Sequence, residues 1–540
     1  MKAIAQGQCL KNLIRNNQIY VDKTHEIYTL FKINDRILFT RPRRFGKSLV
    51  LDTIATLFEK GVEPYFKDTW IYDKWNEETY PVLRLNFLDF DKTIFEKFCF
   101  DFRNCINDFL DENKIDLVVS DEEPYQVIQT LLDYFVVNDK QIVIVIDEYD
   151  VQLTANINNN HLYNTFHAAL RELYASLKGN EAIKFLGITG VTKFNIITGF
   201  SSTDIIDVTF HSAVATLTGF TRAEITKYYI DYLNLGVSLE KSKPIEEVSN
   251  QDREEFIDRM ELEYGGYCFD EDNEVKVFST WSVNNFLHSF KRFNRVYFGD
   301  FWFDNGGTPK ILVDFINSLN KDFLGNRKNT FVLSYDSLIH PDSLLDIDIK
   351  ALMTQTGYLT VRSKVIFGNG IEVGIPNNEI FMGLVCLSFE RFFGFPICLE
   401  DEEVNGLRYG NPQDIIEIIK GIIHRVPSKN NPITSERILS ALIYMMLVAA
   451  KIKVKSEFFE DDGRCYLEIE FDERRIEIEF KYAKYKNDAK IKLMKAQKQI
   501  IENDYGKHGP FKDYIRFALV YNGKNKKVAY FEEVSKNCEN

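Results

Sequence analysis

The segment from Leu38 to Val50, LFTRPRRFGKSLV, is the stretch of sequence that decides the fold. It almost matches the phosphate-binding loop pattern G-x-x-x-x-G-K-[ST]. Gly46, Lys47 and Ser48 stand at the last three positions of the pattern. Arg41 occupies the position of its first glycine. A Gly-Lys-Ser tripeptide also arises by chance, so its structural context decides whether the segment binds phosphate.

The loop lies between an apolar strand and an amphipathic helix. Residues Arg36 to Thr40 (RILFT) predict a short buried strand, and Lys47 to Lys60 has apolar residues at helical spacing. The start of a helix offers free N–H groups and a positive dipole end to a phosphate. In this arrangement Lys47 can reach the β- and γ-phosphates of a nucleotide, and Ser48 can bind Mg²⁺.

A second motif follows further along the chain. The segment IVIVIDEYD is an apolar strand that ends in Asp147 and Glu148. A carboxylate at the tip of such a strand can hold Mg²⁺, and a neighbouring glutamate can polarise the attacking water. A buried strand capped by ordinary surface acids would look the same when taken alone. Because the two motifs occur in the right order and on the right elements, together they favour a nucleotide site that uses ATP and Mg²⁺.

The loop itself departs from the glycine-rich pattern. Arg41 removes the conformational freedom of a glycine, and Pro42 stiffens the backbone further. Side-chain charge from the two following arginines can act where fewer backbone amides are available. We therefore expect a nucleotide site with altered loop geometry. The loop residues predicted to bind nucleotide are Arg43, Arg44, Phe45, Gly46, Lys47 and Ser48.

The composition is typical of a chain with several globular domains. With 540 residues, 45% of them hydrophobic and 27% charged, the chain is too long for one ordinary core and too apolar for wholesale disorder. Its start has no signal-peptide stretch, and the longest apolar run, ALIYMMLVAA, is too short to span a bilayer. The 8 cysteines form no C-x-x-C pair, which argues against a zinc ribbon or a disulfide scaffold. We expect a soluble, cytoplasmic protein without a membrane partner.

Strands and helices alternate in the first part of the chain. The strands RILFT, PVLRLNF, QIVIVID and AIKFLGIT, with helical stretches between them, predict an α/β fold with a doubly wound parallel sheet over residues 1–235. Residues 236–377 predict a helical lid with a winged-helix-like hairpin turned at the GNG sequence. Residues 378–540 predict helices, a pair of hairpin strands, and a final helix and strand, which together form an α+β domain.

Several short blocks together resemble one family. The blocks YVDKT, RPRRFGKSL, IVIVIDEYD, FLGITGV, TGFTRAEI, YGGYCF and QTGYLT are similar to those of the AAA-ATPase-like family of bacterial and microbial proteins, over nearly the whole chain. Members commonly carry a C-terminal domain of the PD-(D/E)XK nuclease superfamily. Arg41 is the usual residue of that family's loop. The resemblance gives catalytic roles to Lys47 and Glu148, and metal-binding roles to Ser48 and Asp147.

Two features stay open between a functional and a structural interpretation. Thr189 follows its strand and is a candidate sensor of the γ-phosphate of a bound nucleotide, although an ordinary strand-end turn residue would look the same. For the YVDKT block, from Tyr20 to Thr24, the residues suggest no mechanism. Helix capping by Asp22 or Thr24 is the simplest interpretation of that block.

The C-terminal resemblance carries a set of candidate metal-site residues. The nuclease superfamily uses a strand aspartate, a (D/E)-x-K pair on the next strand and often a helix glutamate, and the acids hold Mg²⁺. In EIEFKY, Glu479 and Lys481 share one face of a strand. The other residues to which the resemblance points are Glu436, Glu457, Gln499 and Tyr505.

The strand before EIEFKY departs from the superfamily pattern. Family members typically read G-R-x-D-L there, but in this chain Tyr466 takes the place of the metal-binding aspartate. A neutral phenol is a poor Mg²⁺ ligand. Glu468 lies two residues on, on the same face of the strand, and could replace the aspartate only with a shifted ion. An edge strand with alternating charge would also read as EIEFKY.

The sequence therefore favours a Mg²⁺-dependent P-loop ATPase that drives or gates a nuclease-like domain without an active nuclease site, acting on nucleic acid. The net charge of −14 excludes DNA binding by bulk charge, but the basic segment from Arg474 to Lys498 is one place where DNA could bind. Two alternatives stay open: a nucleotide-operated switch or scaffold for a protein partner, and an active ATP-regulated DNA endonuclease. Whether the chain forms a homo-oligomer is also open.

Overall fold

The computed structural model describes the chain except for a few segments. The residues outside the description are 5, 6, 8, 121, 195–203, 304–309, 319–326, 342, 364–368, 394–398, 426–432, 451, 460–463, 503–510 and 535–540. The contacts divide the chain into two compact units. The first unit comprises Met1–Gly306 and Thr330–Glu379, and the second comprises Gly307–Asn329 and Ile380–Asn540. The three-domain division expected from the sequence stays a prediction.

The first unit contains a five-stranded parallel sheet. Its strands are β1 (Arg36–Thr40), β2 (Val82–Asn86), β3 (Ile142–Asp147), β4 (Ile183–Gly190) and β5 (Ile206–Asp207). They lie in the order β2-β3-β4-β1-β5, and every neighbouring pair is parallel. The expected parallel α/β sheet is confirmed. The strands with the phosphate-loop motif and the acidic motif, β1 and β3, are separated by β4 alone.

Helices cover both faces of this sheet. The helices of this part are α1 (Leu10–Arg15), α2 (Thr24–Ile33), α3 (Lys47–Lys60), α4 (Phe95–Glu112), α5 (Pro124–Val137), α6 (Val151–Ala155) and α7 (Asn160–Leu177). Alternate residues of a strand point to opposite faces, so Val143 and Val145 of β3 pack with α3. Ile144 and Ile146 pack in a second core with α4, α5 and α7. The continuous apolar run of β3 is thus buried on both sides, as its sequence predicts.

A helical region with a small sheet follows in the first unit. Its helices α8 (Arg222–Tyr228), α9 (Ile230–Lys241), α10 (Asn250–Tyr264) and α11 (Thr280–Phe293) surround an aromatic core. The chain continues through α12 (Lys310–Ser318, in the second unit), β6 (Thr330–Ser334), α13 (Tyr335–Ile339), α14 (Ile349–Gln355), β7 (Thr360–Val361) and β8 (Gly370–Gly374). β8 pairs antiparallel with β6 and β7. Part of the turn predicted at GNG lies outside the described residues.

The second unit is built on a mixed sheet. Its elements are α15 (Asn378–Phe393, which begins in the first unit), α16 (Asp401–Tyr409), α17 (Pro412–Arg425), α18 (Glu436–Ala449), β9 (Lys453–Phe459), β10 (Arg464–Glu470), β11 (Arg474–Ala483), α19 (Ala489–Glu502), β12 (Asp513–Asn522) and β13 (Lys527–Glu533). The strand order is β13-β12-β11-β10-β9, and only the β11–β12 pair is parallel. The predicted hairpin strands correspond to β10 and β11, and the predicted final strand corresponds to β12. The sequence did not predict β9 or β13.

Among the helices that the structure describes, none is both long and apolar enough to cross a membrane. The described cysteines that carry free thiols are Cys9, Cys99, Cys105, Cys268 and Cys386.

Candidate functional site

The phosphate-loop segment connects β1 to α3 in the way the motif requires. β1 ends at Thr40 and α3 begins at Lys47. Gly46 has a φ of 89°, in the left-handed region that favours glycine, and its carbonyl oxygen accepts from the N–H of Val50. No side-chain hydrogen bond caps this end of α3 in the described structure, so the N–H groups of the first turn remain available to an anion.

Lys47 is held inside the loop. Its side chain is 4% exposed, and its Nζ donates to the carbonyl oxygen of Pro42 at 3.3 Å. The same Nζ lies 3.7 Å from Oε1 of Glu148. A buried ammonium needs such partners because removing an unpaired charge from water is costly. The Lys47 ammonium is thus placed between the loop backbone and the carboxylate that follows β3.

The carboxylates at the end of β3 face the start of α3. Ser48 makes a side-chain hydrogen bond to Asp147. Burial raises the pKa of Asp147, and the neighbouring Glu148 carboxylate acts in the same direction. Glu148 has a φ of 54°, which residues other than glycine rarely adopt, and its N–H donates to Oδ1 of Asp147 at 2.9 Å. Unusual backbone conformations of this kind cluster at functional sites.

Arg41 points away from the loop and into the core. Its side chain is 1% exposed, and Nη1 donates to the carbonyl oxygens of Thr40 at 2.9 Å and Thr209 at 2.5 Å. The guanidinium carbon lies 4.5 Å from the centre of the Phe269 ring. Burial lowers the pKa of Arg41 to about 9, and the Asp207 carboxylate opposes that shift. The residue in place of the first glycine is therefore a structural arginine that ties the loop to the segment after β5.

Aromatic residues from distant parts of the chain pack against the loop. The ring of Phe45 contacts the rings of Tyr267, Phe269 and Trp302. Gly357, with a φ of 89°, meets the ring of Pro42, since a Cβ added at Gly357 would lie 2.8 Å from Cβ of Pro42. The YGGYCF and QTGYLT blocks thus contribute to one cluster around the loop. Sequence reasoning recorded both blocks but missed this role, because the contacts join residues far apart in the chain.

Arg44 is also bound to this region. It has a φ of 69°, and its Nη1 donates to the carbonyl oxygens of Phe301, at 3.1 Å, and Trp302. Its guanidinium lies 5.0 Å from the centre of the Trp281 ring. The N–H groups of Phe301 and Trp302 donate to Oε1 of Glu379 at 2.7 and 3.0 Å. Glu379 is 3% exposed, and burial raises its pKa to about 8. Arg44 also lines the cavity at the loop, but its guanidinium already donates to these two backbone carbonyls.

Of the other residues predicted for the nucleotide site, Arg43 lines the cavity at the loop and Thr189 does not. Arg43 is exposed and lines the cavity at the loop. Thr189 is fully buried, does not line that cavity, and donates its hydroxyl to the carbonyl oxygen of Phe39 at 2.8 Å. Its role as a phosphate sensor stays a prediction that this geometry does not support. Asp150 accepts from the N–H of Thr192 at 2.8 Å, which links the ends of β3 and β4.

A cavity of about 840 Å³ opens at the loop. Lys47, Ser48, Asp147 and Glu148 all line it. Apolar and aromatic side chains also line this cavity, and these belong to Ile19, Tyr20, Val21, Leu217, Phe220, Tyr229 and Trp281. Sequence reasoning missed these side chains, since most of them belong to no recognised motif. A cavity with charged and apolar side chains fits a ligand that carries both phosphate and a flat ring.

The YVDKT block forms part of the cavity wall, and hydrogen bonds of Asp22 and an ion pair of Lys23 hold it in place. Asp22 accepts from the N–H of Thr24, the first residue of α2, at 2.9 Å, and from the N–H of Trp70 at 2.7 Å. Lys23 makes an ion pair with Glu224 at 2.7 Å, and both side chains are largely buried. The N-cap of α2 is Lys23, which makes no side-chain capping hydrogen bond, so the predicted capping by Asp22 or Thr24 is not confirmed; the block instead joins α2 to α8.

In the second unit, the candidate metal-site residues come from neighbouring strands and two helices. Tyr466 of β10 pairs with Glu479 of β11 on one side and with Glu457 of β9 on the other. Nζ of Lys481 donates to Oε1 of Glu479 at 2.5 Å, and both side chains are buried. Glu436, at the start of α18, accepts from the N–H of Tyr482 at 3.0 Å.

The other candidates contribute less to this geometry. Gln499 lies on α19, Tyr505 lies outside the described residues, and for Glu457 the strand pairing alone is described. Glu468 pairs across the strands with Glu477, which sequence reasoning missed although it alternates with Glu479 along β11. Burial raises the pKa of Glu477 to about 7, and the Glu468 carboxylate adds to that shift. Within the described residues, no three or more His, Cys, Asp or Glu side chains are grouped to hold a metal ion.

Comparisons with known proteins bear on the N-terminal region. Residues 8–199 match the AAA-ATPase-like family, whose description is "Predicted AAA-ATPase". The N-terminal region is therefore similar to an AAA-ATPase-like domain. An Azotobacter chroococcum mcd 1 protein, named "Uncharacterized protein in vnfD 5'region", is 25% identical over 483 residues, which cover 86% of this chain and 85% of that protein.

Among solved structures, the crystal structure of Cdc6p from Pyrobaculum aerophilum matches 67% of this chain and 92% of its own chain, at 11% identity. The TM-score of that match is 0.23.

The position of Arg41 leads to a prediction about the loop. Arg41→Gly restores the usual glycine pattern, yet it should destabilise the protein by about 3 kcal/mol or more, because it removes buried hydrogen bonds and leaves a cavity beside Phe269. Thermal unfolding followed by circular dichroism should show a lower Tm. Arg43→Gly, at the exposed neighbour, is the matched control and should cost about 1 kcal/mol or less. Equal Tm values for the two variants would show that the guanidinium is not needed.

Proposed function

We propose that the N-terminal region binds ATP with Mg²⁺ and hydrolyses it. One observation carries the proposal: the uncapped start of α3, Lys47, the Ser48–Asp147 pair and Glu148 meet at a single cavity. These groups match the needs of phosphoryl transfer, which are fixed positive charge at the phosphates, oxygen ligands for a metal and a carboxylate beside the attacking water.

The phosphates would lie against the first turn of α3. There the free N–H groups donate to phosphate oxygens, and Lys47 moves its charge from the Pro42 carbonyl to the β- and γ-phosphates. Ser48 and Asp147 are hard oxygen donors next to each other and fit Mg²⁺. Bound Mg²⁺ would supply neutralisation of the charge on the phosphate oxygens. Arg43, exposed at the cavity, adds positive charge there.

The adenine base of ATP would lie against the apolar and aromatic side chains of the cavity. Tyr20, Phe220 and Trp281 offer flat surfaces there, and Oδ1 of Asn284 accepts from the Tyr229 hydroxyl at 2.6 Å, which holds both side chains in place. Burying a flat ring between apolar surfaces contributes affinity, while the phosphate end supplies orientation.

Glu148 is the proposed general base. Its carboxylate lies 3.7 Å from Nζ of Lys47, so it is held close to where the terminal phosphate would sit. A carboxylate at this position can orient a water and accept its proton during attack. Asp150, the next acid along, is bound to the N–H groups of Val191 and Thr192 and is not free to play this role.

Lys47→Ala tests nucleotide binding. The substitution removes a charge-assisted bond to phosphate worth about 1.5–3 kcal/mol, so ATP affinity measured by calorimetry should fall about tenfold or more. Lys60→Ala, which removes the same charge from the other end of α3, is the control and should bind ATP as the wild type does. Unchanged affinity in Lys47→Ala would place the nucleotide elsewhere.

Glu148→Gln separates binding from chemistry. Glutamine keeps the shape and most hydrogen bonds but cannot accept a proton, so ATP should still bind while its hydrolysis slows at least about a hundredfold. Phosphate release at saturating ATP measures the rate, with Glu172→Gln on the exposed surface of α7 as the control. Wild-type turnover in Glu148→Gln would assign the base to a different residue.

For the second unit, we propose a nuclease-like core that has lost one metal ligand, and whose engagement with nucleic acid is gated by ATP. The succession α18, β9, β10, β11, α19 and β12, with β11 and β12 parallel, supports this proposal. So does the Glu479–Lys481 pair beside Tyr466, because Tyr466 stands where a carboxylate would complete a metal site. An active endonuclease is the alternative that the next experiment separates, and an inactive scaffold for a protein partner is the alternative that an absence of salt-sensitive DNA binding would favour.

Cleavage assays on the Tyr466→Asp variant test this second proposal. Wild-type protein should not cut plasmid DNA with Mg²⁺ or Mn²⁺, whereas Tyr466→Asp should bind Mn²⁺ in calorimetry, because it places a carboxylate directly opposite Glu479. Tyr466→Asn, which has a similar size but no charge, is the control and should not bind the metal. Cleavage by the wild type that disappears in Lys481→Ala would show an active nuclease instead.

A further inference from the structure

The parallel sheet of the first unit has an open edge at β2. β2 is the outermost strand, and no described strand pairs with its outer side. The N–H of Val143 in β3 donates to the carbonyl oxygen of Pro81, so in this parallel register the backbones of Leu83 and Leu85 face β3. The backbone groups of the alternating residues Val82, Arg84 and Asn86 therefore face outward.

A cavity of about 770 Å³ runs along this edge. Its walls are β2, the end of α3 and one side of α4, and it shares only Arg84 and Asn86 with the lining of the cavity at the phosphate loop. The contact recorded at the outward carbonyl oxygen of Arg84 is a weak one, from Sγ of Cys105 at 3.9 Å. The three residues whose backbone groups face outward, Val82, Arg84 and Asn86, all line this groove.

The α4 wall of the groove is acidic. The residues of α4 that line it are Asp101, Asn104, Cys105, Asp108 and Glu112, whose spacing places them on one face of the helix. Asp89 lines the groove next to the end of β2. The ion pairs between described residues include none made by Asp89, Asp108 or Glu112.

The positive charges of the groove are already neutralised. Arg84 makes ion pairs with Asp52 at 2.7 Å and with Glu59 at 3.0 Å, and Lys60 makes one with Glu59 at 2.9 Å. The lining contains five acidic and two basic side chains, a net formal charge of −3, which disfavours phosphate and nucleic acid.

The acids are also too widely spread to serve a single cation. At 1.5 Å per residue, Asp101 and Glu112 are separated by roughly 16 Å along the helix axis, so they cannot converge on one ion. No metal-binding group occurs among the described residues here or elsewhere. A ligand that uses these acids must be elongated and carry several positive charges.

We propose that this groove binds an extended, basic peptide segment of another protein, which adds as a strand to the outer side of β2. The five residues of β2 offer an edge roughly 16 Å long. Asp108 and Glu112 are about 6 Å apart along α4, close to the spacing of roughly 7 Å between alternate residues of a strand. Backbone hydrogen bonds to β2 supply affinity, and the acidic stripe selects lysine or arginine at every second position.

The test uses a labelled synthetic peptide, Lys-Val-Lys-Val-Lys-Val-Lys, and fluorescence anisotropy with the full chain. The wild type should bind this peptide with an affinity that weakens as salt is added. The double variant Asp108→Asn with Glu112→Gln should bind at least about tenfold more weakly, the loss of one moderate charge interaction. Glu96→Gln with Asp111→Asn removes the same two charges from α4 outside the groove lining and should bind like the wild type.

A second peptide tests strand addition itself. The same sequence with N-methyl groups on every backbone amide keeps its charge but has no N–H left to donate to β2, and it should bind at least about tenfold more weakly. A labelled poly-thymidine oligonucleotide, measured without the peptide, should give the same binding signal with the groove variant as with its control. The proposal is overturned if the groove variant and its control bind the peptide equally, if N-methylation has no effect, or if the groove variant alone changes oligonucleotide binding. Circular dichroism should give both α4 variants the wild-type Tm, so that altered binding reports the groove.

Discussion

The loop between β1 and α3 depends on one buried guanidinium. A charged arginine in a protein core is costly, and here two carbonyl oxygens and the face of Phe269 offset part of that cost, while Nε and Nη2 donate to no described residue. In a glycine-rich loop, the backbone alone provides the sharp turn. In this chain the side chain of Arg41 fixes the turn through its contacts with Thr209 and Phe269. The shape of the loop therefore depends on two residues that are remote in sequence.

The other side of the loop is held just as firmly. Phe45 lies in an aromatic cluster, Pro42 meets Gly357, and Arg44 is bound to the carbonyl oxygens of Phe301 and Trp302. The helical region after β5 is therefore part of the architecture of the loop. Of the three arginines in the RPRR sequence, two are used to build the loop, and this leaves Arg43 exposed at the cavity.

Local patterns in the sequence were sufficient to predict the elements that carry the site. The apolar runs of β1 and β3 and the helical period of α3 each lie within a few residues, so strand, loop, helix and acidic strand end could all be predicted. The direction of the Arg41 side chain could not, because its acceptor Thr209 is set by the pairing of β1 with β5. The position of Thr189 could not be predicted either. Its hydroxyl donates to the carbonyl oxygen of Phe39, and this contact between two strands belongs to no sequence motif.

In the second unit, too, local sequence predicted some features of the candidate site, and others depend on contacts between distant segments. Alternation along EIEFKY was enough to place Glu479 and Lys481 on one face of β11, since the period of a strand is fixed. That Tyr466 lies directly opposite Glu479 depends on the register between β10 and β11. β9 and β13 escaped prediction because strands on the outside of a sheet carry mixed polar and apolar residues and lack a clear period.

The contact between Lys47 and Pro42 has a consequence for any anion that enters the loop. The Lys47 ammonium is buried, and the carbonyl of Pro42 and the carboxylate of Glu148 already take the place that an anion would occupy beside it. Entry is therefore an exchange of partners, and the free energy gained is the difference between two bound states of the same charge. Such an exchange lowers the measured affinity, but it spares the protein an unpaired charge in its interior whenever the anion leaves.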